Sequence, residues 1–373
     1  MIKFENVTKR YPGGTVAVDE LNLTVPPGKI TVFVGPSGCG KTTSLRLINR
    51  SIELTSGRIL VDGRDVTSVP AVALRRGIGY VIQHGGLFPH QTVIDNVATV
   101  PYLLGWDKKK ARARAHELLE RVGLPASFAK RYPAQLSGGQ QQRVGVARAL
   151  AADPPIMLMD EPFSAVDPIV RASLQEEFLR LQQELGKTIV LVTHDIDEAI
   201  KLGDNVAVFA EGGKLAQLDS PARILANPAD EFVEDLVGRD RGYRGLSFVT
   251  AHDLPVHPVP TTALGASTAD ARAAVRDQRW VLALDADRRP LGWLDVSQSD
   301  MDTVDTVESA ALLSVGATFT GDSSMRRVLD GALASPAGYS VGVDADGAFT
   351  GAVSTAEVAQ HLASQDRVSV EPL

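Results

Sequence analysis

Residues 35–43 read GPSGCGKTT, and this stretch decides the fold of the chain. It fills the pattern G-x-x-x-x-G-K-[ST] and follows an apolar β-type run at residues 30–34. Glycines let backbone N–H groups curl around an anion, Lys41 brings positive charge to the terminal phosphates, and Thr42 offers a hydroxyl to Mg²⁺. The pattern predicts a phosphate-binding loop formed by Gly35, Pro36, Ser37, Gly38, Cys39, Gly40, Lys41, Thr42 and Thr43.

A helix at residues 44–49 should continue from this loop, with its N-terminus pointing at the phosphates. The rest of the chain is ordinary globular material: 373 residues, 44% hydrophobic and 22% charged, long enough for two or three domains. No apolar run approaches the roughly 18 residues of a membrane-spanning helix, and the N-terminus lacks the apolar core of a signal peptide. We therefore expect a soluble, cytoplasmic chain, whose single cysteine, Cys39, forms no internal disulfide.

Charge is unevenly distributed along the chain, although the net value is only −7. Residues 1–238 hold 27 basic and 27 acidic side chains, residues 239–373 hold 11 and 18, and no lysine follows Lys214. This shift predicts a domain boundary, with one domain at 1–238 and a second at 239–373. Neither half accumulates a basic face, so we expect no nucleic-acid partner.

Polar residues follow three further apolar strand-type runs. Gln83 ends the run at 79–82, Asp160 and Glu161 follow 156–159, and His194 follows 188–193. Open α/β sheets bind ligands at the carboxyl ends of their strands, so these side chains are candidates for one site. Adjacent carboxylates on a strand end point to opposite sides, which suits Asp160 to the Mg²⁺ shell and Glu161 to a water. Gln83 is equally well explained as a strand-end polar residue, and His194 is a candidate phosphate contact.

A second glycine-rich element, LSGGQ at residues 136–140, precedes a strong helix at 141–151. Ser137 is a natural N-cap residue, and the two glycines free backbone amides to meet an anion at the helix N-terminus. One nucleotide already has its loop at 35–43. The second element is therefore available to a nucleotide held by another subunit.

Two features have both a functional and a plain structural interpretation. Tyr11, at the turn after the first strand, either stacks on an adenine ring or is simply an exposed turn residue. The segment 85–101 carries Leu87, Phe88 and Pro89 in a Gly/Pro-rich loop, which either docks a partner or packs on its own core.

Taken together, these motifs resemble the ABC transporter ATPase family in order and approximate spacing, over residues 1 to about 238. The LSGGQ stretch separates that family from other P-loop NTPases. The resemblance implies an α/β fold with a mostly parallel core sheet, an antiparallel β patch and a helical subdomain. It also implies ATP and Mg²⁺ as cofactors.

The resemblance implies a role for each matching residue. Catalytic roles fall on Glu161 as general base, His194 at the γ-phosphate and Gln83. The metal residues are Thr42, Gln83 and Asp160, and Tyr11 matches the adenine-stacking aromatic. In the family two ATPase subunits enclose two ATPs, so a second copy of this chain is implied, with Ser137, Gly138, Gly139, Gln140 and Asp167 contacting the nucleotide of the opposite chain.

The sequence around Gln83, YVIQHGGLFPHQTVIDNV, is most similar to that of importers of quaternary-amine osmoprotectants such as glycine betaine, carnitine or choline. His84 differs from those importers, which often have a second Gln at this position. The implied partners are transmembrane permease subunits and an extracytoplasmic solute-binding protein, at the cytoplasmic face of the inner membrane. Alternatives are an importer ATPase for another small solute, such as an amino acid, and a non-transport ABC ATPase. The latter would predict coiled-coil insertions or two motif sets in one chain.

The C-terminal third contains an internal repeat, because 280–287 is echoed by 339–346 at an offset of 59 residues. Each copy reads helix, strand, Asp-rich turn, strand, and the pair resembles a tandem CBS module. In that family a G-h-h-[ST]-x-x-[DE] stretch holds an adenine-type nucleotide or a cyclic dinucleotide. Residues 351–357 match it, with Ser354 and Glu357 at the polar positions, whereas 292–298 does not. A purely structural or dimerising pair is the alternative.

Overall fold

The structure is a computed structural model that describes residues 1–83, 86–164, 166–275, 278–297, 305–308 and 311–368, without the side chains of 168, 169 and 364–368. Its contacts divide the chain into two compact units, Met1–Arg239 and Asp240–Leu373. Among the described residues, no helix combines the length and the apolar character that crossing a membrane requires.

The first unit is built from ten strands and nine helices within the described ranges. The strands are β1 (Ile2–Arg10), β2 (Val16–Val25), β3 (Ile30–Val34), β4 (Ser56–Val61), β5 (Arg64–Asp65), β6 (Ile78–Val81), β7 (Ile156–Asp160), β8 (Thr188–Val192), β9 (Asn205–Ala210) and β10 (Lys214–Asp219). The helices are α1 (Lys41–Ile48), α2 (Ala71–Arg76), α3 (Val93–Leu103), α4 (Lys108–Arg121), α5 (Gly138–Leu150), α6 (Pro168–Leu185), α7 (Ile196–Leu202), α8 (Pro221–Ala226) and α9 (Glu231–Val237).

A mostly parallel sheet forms the centre of this unit, in the order β10-β9-β3-β8-β7-β6. Its inner strands are short runs of apolar residues buried on both faces, as parallel strands usually are. Successive side chains alternate between two cores. Val32, Met157 and Leu191 face one, whereas Phe33, Leu158 and Val190 face the other.

The two cores have different partners. On one side the sheet packs on helices, including α3, α4 and α5, which form the helical layer that carries the LSGGQ stretch. On the other side lie α1 and an antiparallel sheet in the order β2-β1-β4-β5. The predicted parallel core sheet, antiparallel patch and helical subdomain are therefore all present.

The strand order brings the candidate residues together. Strands β3, β8, β7 and β6 are parallel neighbours, so their carboxyl ends meet at one edge of the sheet. The phosphate-binding loop follows β3, His194 follows β8, Asp160 ends β7 and Gln83 follows β6. Four segments that are far apart in sequence thus converge where open α/β sheets bind ligands.

The chain around Gln83 differs slightly from the prediction. The strand expected at 79–82 is β6, Ile78–Val81, so Gln83 lies beyond the strand rather than at its end.

Helices α8 and α9 are separated at Asn227, because Pro228 disfavours helical backbone at that residue. The Gln217 side chain holds the break, donating to the Asn227 carbonyl and accepting from the Ala229 amide.

The second unit repeats one hairpin twice. It contains α10 (Arg241–Gly245), β11 (Thr261–Ala263), α11 (Thr268–Val275), β12 (Trp280–Leu284), β13 (Pro290–Asp295), α12 (Met325–Ala334), β14 (Tyr339–Val343), β15 (Phe349–Ser354) and α13 (Thr355–Val368). Trp280 pairs with Asp295 and Tyr339 with Ser354, so both hairpins have the same register at an offset of 59 residues. In each turn an aspartate, Asp285 or Asp344, accepts two backbone N–H bonds.

The internal repeat read from the sequence is therefore confirmed. The hairpins share one core, in which Leu282 and Trp293 of the first pack with Val341 and Ala352 of the second. This unit is an α/β arrangement whose two halves bury their apolar faces against each other.

Candidate nucleotide-binding site

The loop after β3 has the backbone that its glycines predict. Gly40 has φ +97° and is the N-cap of α1, a conformation that L side chains rarely adopt. A Cβ atom added to Gly40 would lie 2.0 Å from the Ala17 carbonyl oxygen. The loop therefore packs directly on the backbone of β2, and only glycine allows that approach.

Lys41 is held underneath this loop. Its side chain is buried, and Nζ donates hydrogen bonds of 2.7 Å to the carbonyl oxygens of both Gly35 and Pro36. The ammonium group is therefore kept within the loop rather than extended into solvent. Positive charge and the loop amides are concentrated at the same place.

Asp160 and Thr42, both predicted metal residues, are in direct contact. The Thr42 hydroxyl donates a 2.8 Å hydrogen bond to Asp160 Oδ1, and Arg46 Nη2 lies 3.7 Å from Oδ2. Burial raises the pKa of Asp160, although the Thr42 hydrogen bond and the Arg46 charge oppose this shift. Arg46 was missed by the sequence reasoning. Its spacing of four residues from Thr42, on one face of α1, is the signal that would have found it.

Glu161 points away from Asp160, as expected for adjacent residues at a strand end. Gln83 Nε2 donates a 2.8 Å hydrogen bond to Glu161 Oε2, and His194 Nδ1 lies 3.2 Å from Oε1. Glu161 has φ +44°, an uncommon conformation for a residue other than glycine. The structure thus brings two of the predicted residues, Gln83 and His194, onto the carboxylate of a third.

This donor set suits a nucleotide with Mg²⁺. A glycine-rich loop before a helix, with a buried ammonium group, offers positive charge to phosphates. Beside it, a buried carboxylate paired with a hydroxyl offers the oxygen ligands that Mg²⁺ prefers. The described residues contain no group of three or more His, Cys, Asp or Glu arranged to hold a metal ion, so the candidate ligands are a mixed set.

The LSGGQ stretch begins α5 in the helical layer. Ser137 is the N-cap: its hydroxyl accepts from the Gln140 amide at 3.4 Å, and the Gln140 side chain accepts from the Ser137 amide at 3.0 Å. This reciprocal capping box uses the Gln140 side chain within its own chain. Ser137 and Gly138 are exposed, as are Asp167 before α6 and Tyr11 at the turn after β1.

The segment after Gln83 is part anchored and part exposed. Buried Asn96 accepts a hydrogen bond from the Phe88 amide and donates to the Phe88 carbonyl. Leu87 packs on the core, whereas the Phe88 side chain is exposed. Leu87 therefore packs on its own core, whereas docking of a partner at Phe88 stays a prediction. His84 lies outside the described residues.

In the second unit, the predicted ligand residues contact each other. Glu357 Oε2 accepts from both the amide and the hydroxyl of Ser354, and the Ser354 hydroxyl accepts from the Glu357 amide. The Ser354 hydrogen bonds lower the pKa of Glu357. His257 Nε2 lies 3.5 Å from Glu357 Oε1, while its backbone pairs with Ala352. The first copy has Asp295 in place of Ser354, bound to Arg279, and Gln298 lies outside the described residues.

Comparisons with known proteins agree with this geometry. Residues 18–164 match the family model described as ABC transporter. The osmoprotectant import ATP-binding protein OsmV of Salmonella typhimurium is 44% identical, with 98% of this chain and 97% of that protein covered. This chain belongs to the ABC transporter ATP-binding proteins. The carnitine transport protein OpuCA of Listeria monocytogenes is 50% identical over 81% of this chain and 76% of that protein.

Other ABC proteins match a smaller share of the chain. The Fe(3+) ions import ATP-binding protein FbpC of Brucella abortus is 48% identical over 64% of this chain and 66% of that protein. A solved dimeric ATP-binding cassette in a post-hydrolysis state, bound to ADP and Pi, aligns with a TM-score of 0.54 and 36% identity. It covers 59% of this chain and 99% of its own. The nucleotide-binding fold of ABC proteins is thus shared well beyond the osmoprotectant importers.

Replacing Gly40 with Ala should lower ATP affinity at least about tenfold, because the new Cβ overlaps β2 and pushes the loop amides out of place. Gly186→Ala is the matched control, since Gly186 also has positive φ but would place its Cβ in open space. Titration with a fluorescent ATP analogue measures affinity. The unfolding midpoint of each variant reports the loss of stability from placing a side chain at positive φ, which both substitutions share. Wild-type affinity in Gly40→Ala would contradict the packing argument.

Proposed function

We propose that this chain hydrolyses ATP to energise an importer of quaternary-amine osmoprotectants such as glycine betaine, carnitine or choline. The transported solute is inferred from the match to an osmoprotectant import protein. This match covers both units, rather than the nucleotide-binding unit alone. Relatives from Listeria and Bacillus subtilis, with carnitine, choline or glycine betaine in their names, support the same class.

A different small solute is the second candidate. An Fe(3+) import protein is 48% identical over 64% of this chain, and the OpuCA protein of Bacillus subtilis shows the same identity over 80%. This kind of nucleotide-binding unit therefore serves importers of unrelated cargo. An amino-acid importer remains the other form of this candidate.

The site geometry supports a role for each residue in hydrolysis. Lys41 and the loop amides would contact the β- and γ-phosphates, and Thr42, Gln83 and Asp160 would hold Mg²⁺, which neutralises phosphate charge when bound. Glu161 would accept the proton of the attacking water. Its two oxygens are oriented by Gln83 and His194, so the carboxylate is already positioned. His194 would then contact the γ-phosphate, and Tyr11 would stack on adenine.

We further propose a homodimer. Ser137, Gly138 and Asp167 are exposed, and a related solved cassette is dimeric. The exposed N-terminus of α5, with Ser137, Gly138, Gly139 and Gln140, would then meet the nucleotide of the second copy. The capping box uses the Gln140 side-chain oxygen as an acceptor and the Ser137 and Gln140 amides as donors. The amides of Gly138 and Gly139 would therefore be the backbone donors toward that nucleotide.

The remaining partners follow from an importer. The exposed Phe88 side chain, on a loop anchored by Asn96, is a docking point for transmembrane permease subunits. A solute-binding protein would deliver cargo on the other side of the membrane. The chain would then be peripheral, at the cytoplasmic face of the inner membrane.

The second unit is proposed to be a regulatory CBS pair. Its support is the duplicated hairpin with one register and a shared core. An adenine nucleotide or cyclic dinucleotide at Ser354 and Glu357 would have to compete with the contacts that these residues make with each other and with His257.

Replacing Glu161 with Gln should leave ATP binding intact and lower turnover roughly 10²- to 10⁴-fold, because an amide cannot accept the water's proton. Size-exclusion chromatography with ATP should show a persistent dimer. Adding Ser137→Arg to this variant should abolish the dimer and spare ATP binding to the chain's own loop. Near-wild-type hydrolysis by Glu161→Gln, or a dimer that tolerates Ser137→Arg, would defeat the respective role.

The cargo is tested with the complete transporter, reconstituted in liposomes from this chain and the permease and binding protein encoded beside it. We expect ATP-dependent uptake of labelled glycine betaine, carnitine or choline, and competition among these amines. Lys41→Ala is the control for dependence on ATP. If an amino acid or Fe³⁺ competes for uptake and quaternary amines do not, the proposed cargo is wrong.

Ending the chain after Val237 should preserve ATP binding and hydrolysis, because every proposed ATPase residue lies before that point. The truncated transporter should lose the response of uptake to ionic strength or adenine nucleotides. In the full chain, Glu357→Ala should weaken only the nucleotide response. Glu357→Gln removes the charge but keeps a side-chain oxygen for the Ser354 hydrogen bonds, so it distinguishes the effect of the charge from the effect of these bonds. Identical responses of full-length and truncated transporters would remove regulation from this unit.

A further inference from the structure

The turn Thr193–Asp195 carries His194 to the proposed general base. It follows β8 in the centre of the sheet, and the Thr193 amide donates to the Phe33 carbonyl of β3 at 3.1 Å. His194 itself has an exposed side chain, with its ring 3.2 Å from Glu161. Something other than the imidazole's own packing must therefore hold this turn in place.

A buried polar group lies directly behind the turn. Glu198, in the first turns of α7, is 6% exposed, and Thr193 and Gln175 are 2% and 7% exposed. Gln175 Nε2 donates a 3.0 Å hydrogen bond to Glu198 Oε1. The Thr193 side chain is close enough to the Glu198 carboxylate to favour its charged form. The Thr193 hydroxyl accepts from the Asp195 amide at 3.1 Å. Glu198 thus links the turn to α6, the helix that follows Asp167.

A charged carboxylate is unfavourable at this buried position, so the groups around Glu198 are needed to stabilise it. Burial raises the pKa of Glu198, and the hydrogen bonds from Thr193 and Gln175 oppose that rise. The charged neighbours are Asp195, which raises the pKa, and Arg171, which lowers it. A carboxylate accepts hydrogen bonds on both oxygens, whereas a glutamine amide would present a donor on one side. A carboxylate at this position can therefore face Gln175 and Thr193 with an acceptor on each side.

We propose that Glu198 is a positioning residue for ATP hydrolysis, which fixes the Thr193–Asp195 turn against α6 so that His194 meets Glu161. This inference rests on the proposed ATPase function. The hydrogen bonds that Glu198 and Thr193 make, to Gln175, Asp195 and the Phe33 carbonyl, involve none of the proposed nucleotide or metal residues. Loss of the network should misplace the imidazole without removing the phosphate-binding loop.

The test uses the full chain and measures steady-state ATPase rates. Glu198→Ala should lower kcat about 10- to 100-fold, the scale of a misplaced catalytic group, with the KM for ATP changed less than about threefold. Glu198→Gln should fall between Ala and wild type, since it keeps the Gln175 bond. Thr193→Val should have the same kcat as Glu198→Gln, whereas Thr193→Ser should keep the wild-type kcat. The effects of Thr193→Val and Glu198→Gln on kcat should be non-additive in the double variant. Glu184→Gln, an exposed glutamate on α6, is the matched control.

A second readout separates positioning from general stability. The chain has seven histidines, so ring-labelled histidine gives a countable NMR spectrum in which His194→Gln assigns His194. Glu198→Gln and Thr193→Val should shift the His194 ring resonance, and Glu184→Gln should not.

Each outcome decides between the possibilities. A wild-type chain without ATPase activity would overturn the proposed function, not this inference. With an active wild type, an unchanged kcat and an unmoved His194 resonance in Glu198→Gln and Glu198→Ala would overturn the inference. If Glu198→Ala fails to fold, the comparison of Thr193→Val with Thr193→Ser decides: equal rates overturn it, and rescue by serine supports it.

Discussion

A hydrogen bond of 2.8 Å from Thr42 to Asp160 joins the phosphate-binding loop to the strand that carries both carboxylates. It connects residues 118 positions apart, and it can form only because β3, β8 and β7 are parallel neighbours with their carboxyl ends together. The loop's close packing on β2 through Gly40 holds the other side. Sheet order and one tight backbone approach thus set the distance between the positive loop and the negative strand end.

Around this bond the charges are arranged by burial. Asp160 and Lys41 are both buried, but Lys41 satisfies its ammonium group on loop carbonyls and does not pair with the carboxylate. Glu161, one residue further, is less buried and is held by Gln83 and His194. Adjacent carboxylates therefore have separate environments, which is the usual way for one site to keep two acidic groups in different roles.

The two units bury their strands in different ways. The first buries a parallel sheet between helices and an antiparallel sheet, so its site lies on an edge that the core makes rigid. The second pairs two copies of one hairpin, and Trp293 and Val341 from different copies share a core. At its predicted ligand stretch, the polar side chains already satisfy each other. A ligand there would need to exchange these existing hydrogen bonds.

Local patterns were sufficient for much of this protein. The GPSGCGKTT loop, the short apolar strands and the repeat at 280 and 339 depend on residue type and spacing over a few positions, so the sequence alone determined them. The choice of Gln83, Asp160, Glu161 and His194 as one site also followed from their places after predicted strands. The family resemblance placed the same residues together.

Other features were decided only by tertiary structure, because they depend on groups that are distant in sequence. Arg46 became a neighbour of Asp160 through the packing of α1 on β7, and Glu198 acquired its importance from burial against α6. The break between α8 and α9 is fixed by Gln217, a residue of β10. Hydrogen-bond partners and burial are properties of the folded arrangement, and no pattern within one segment carries them.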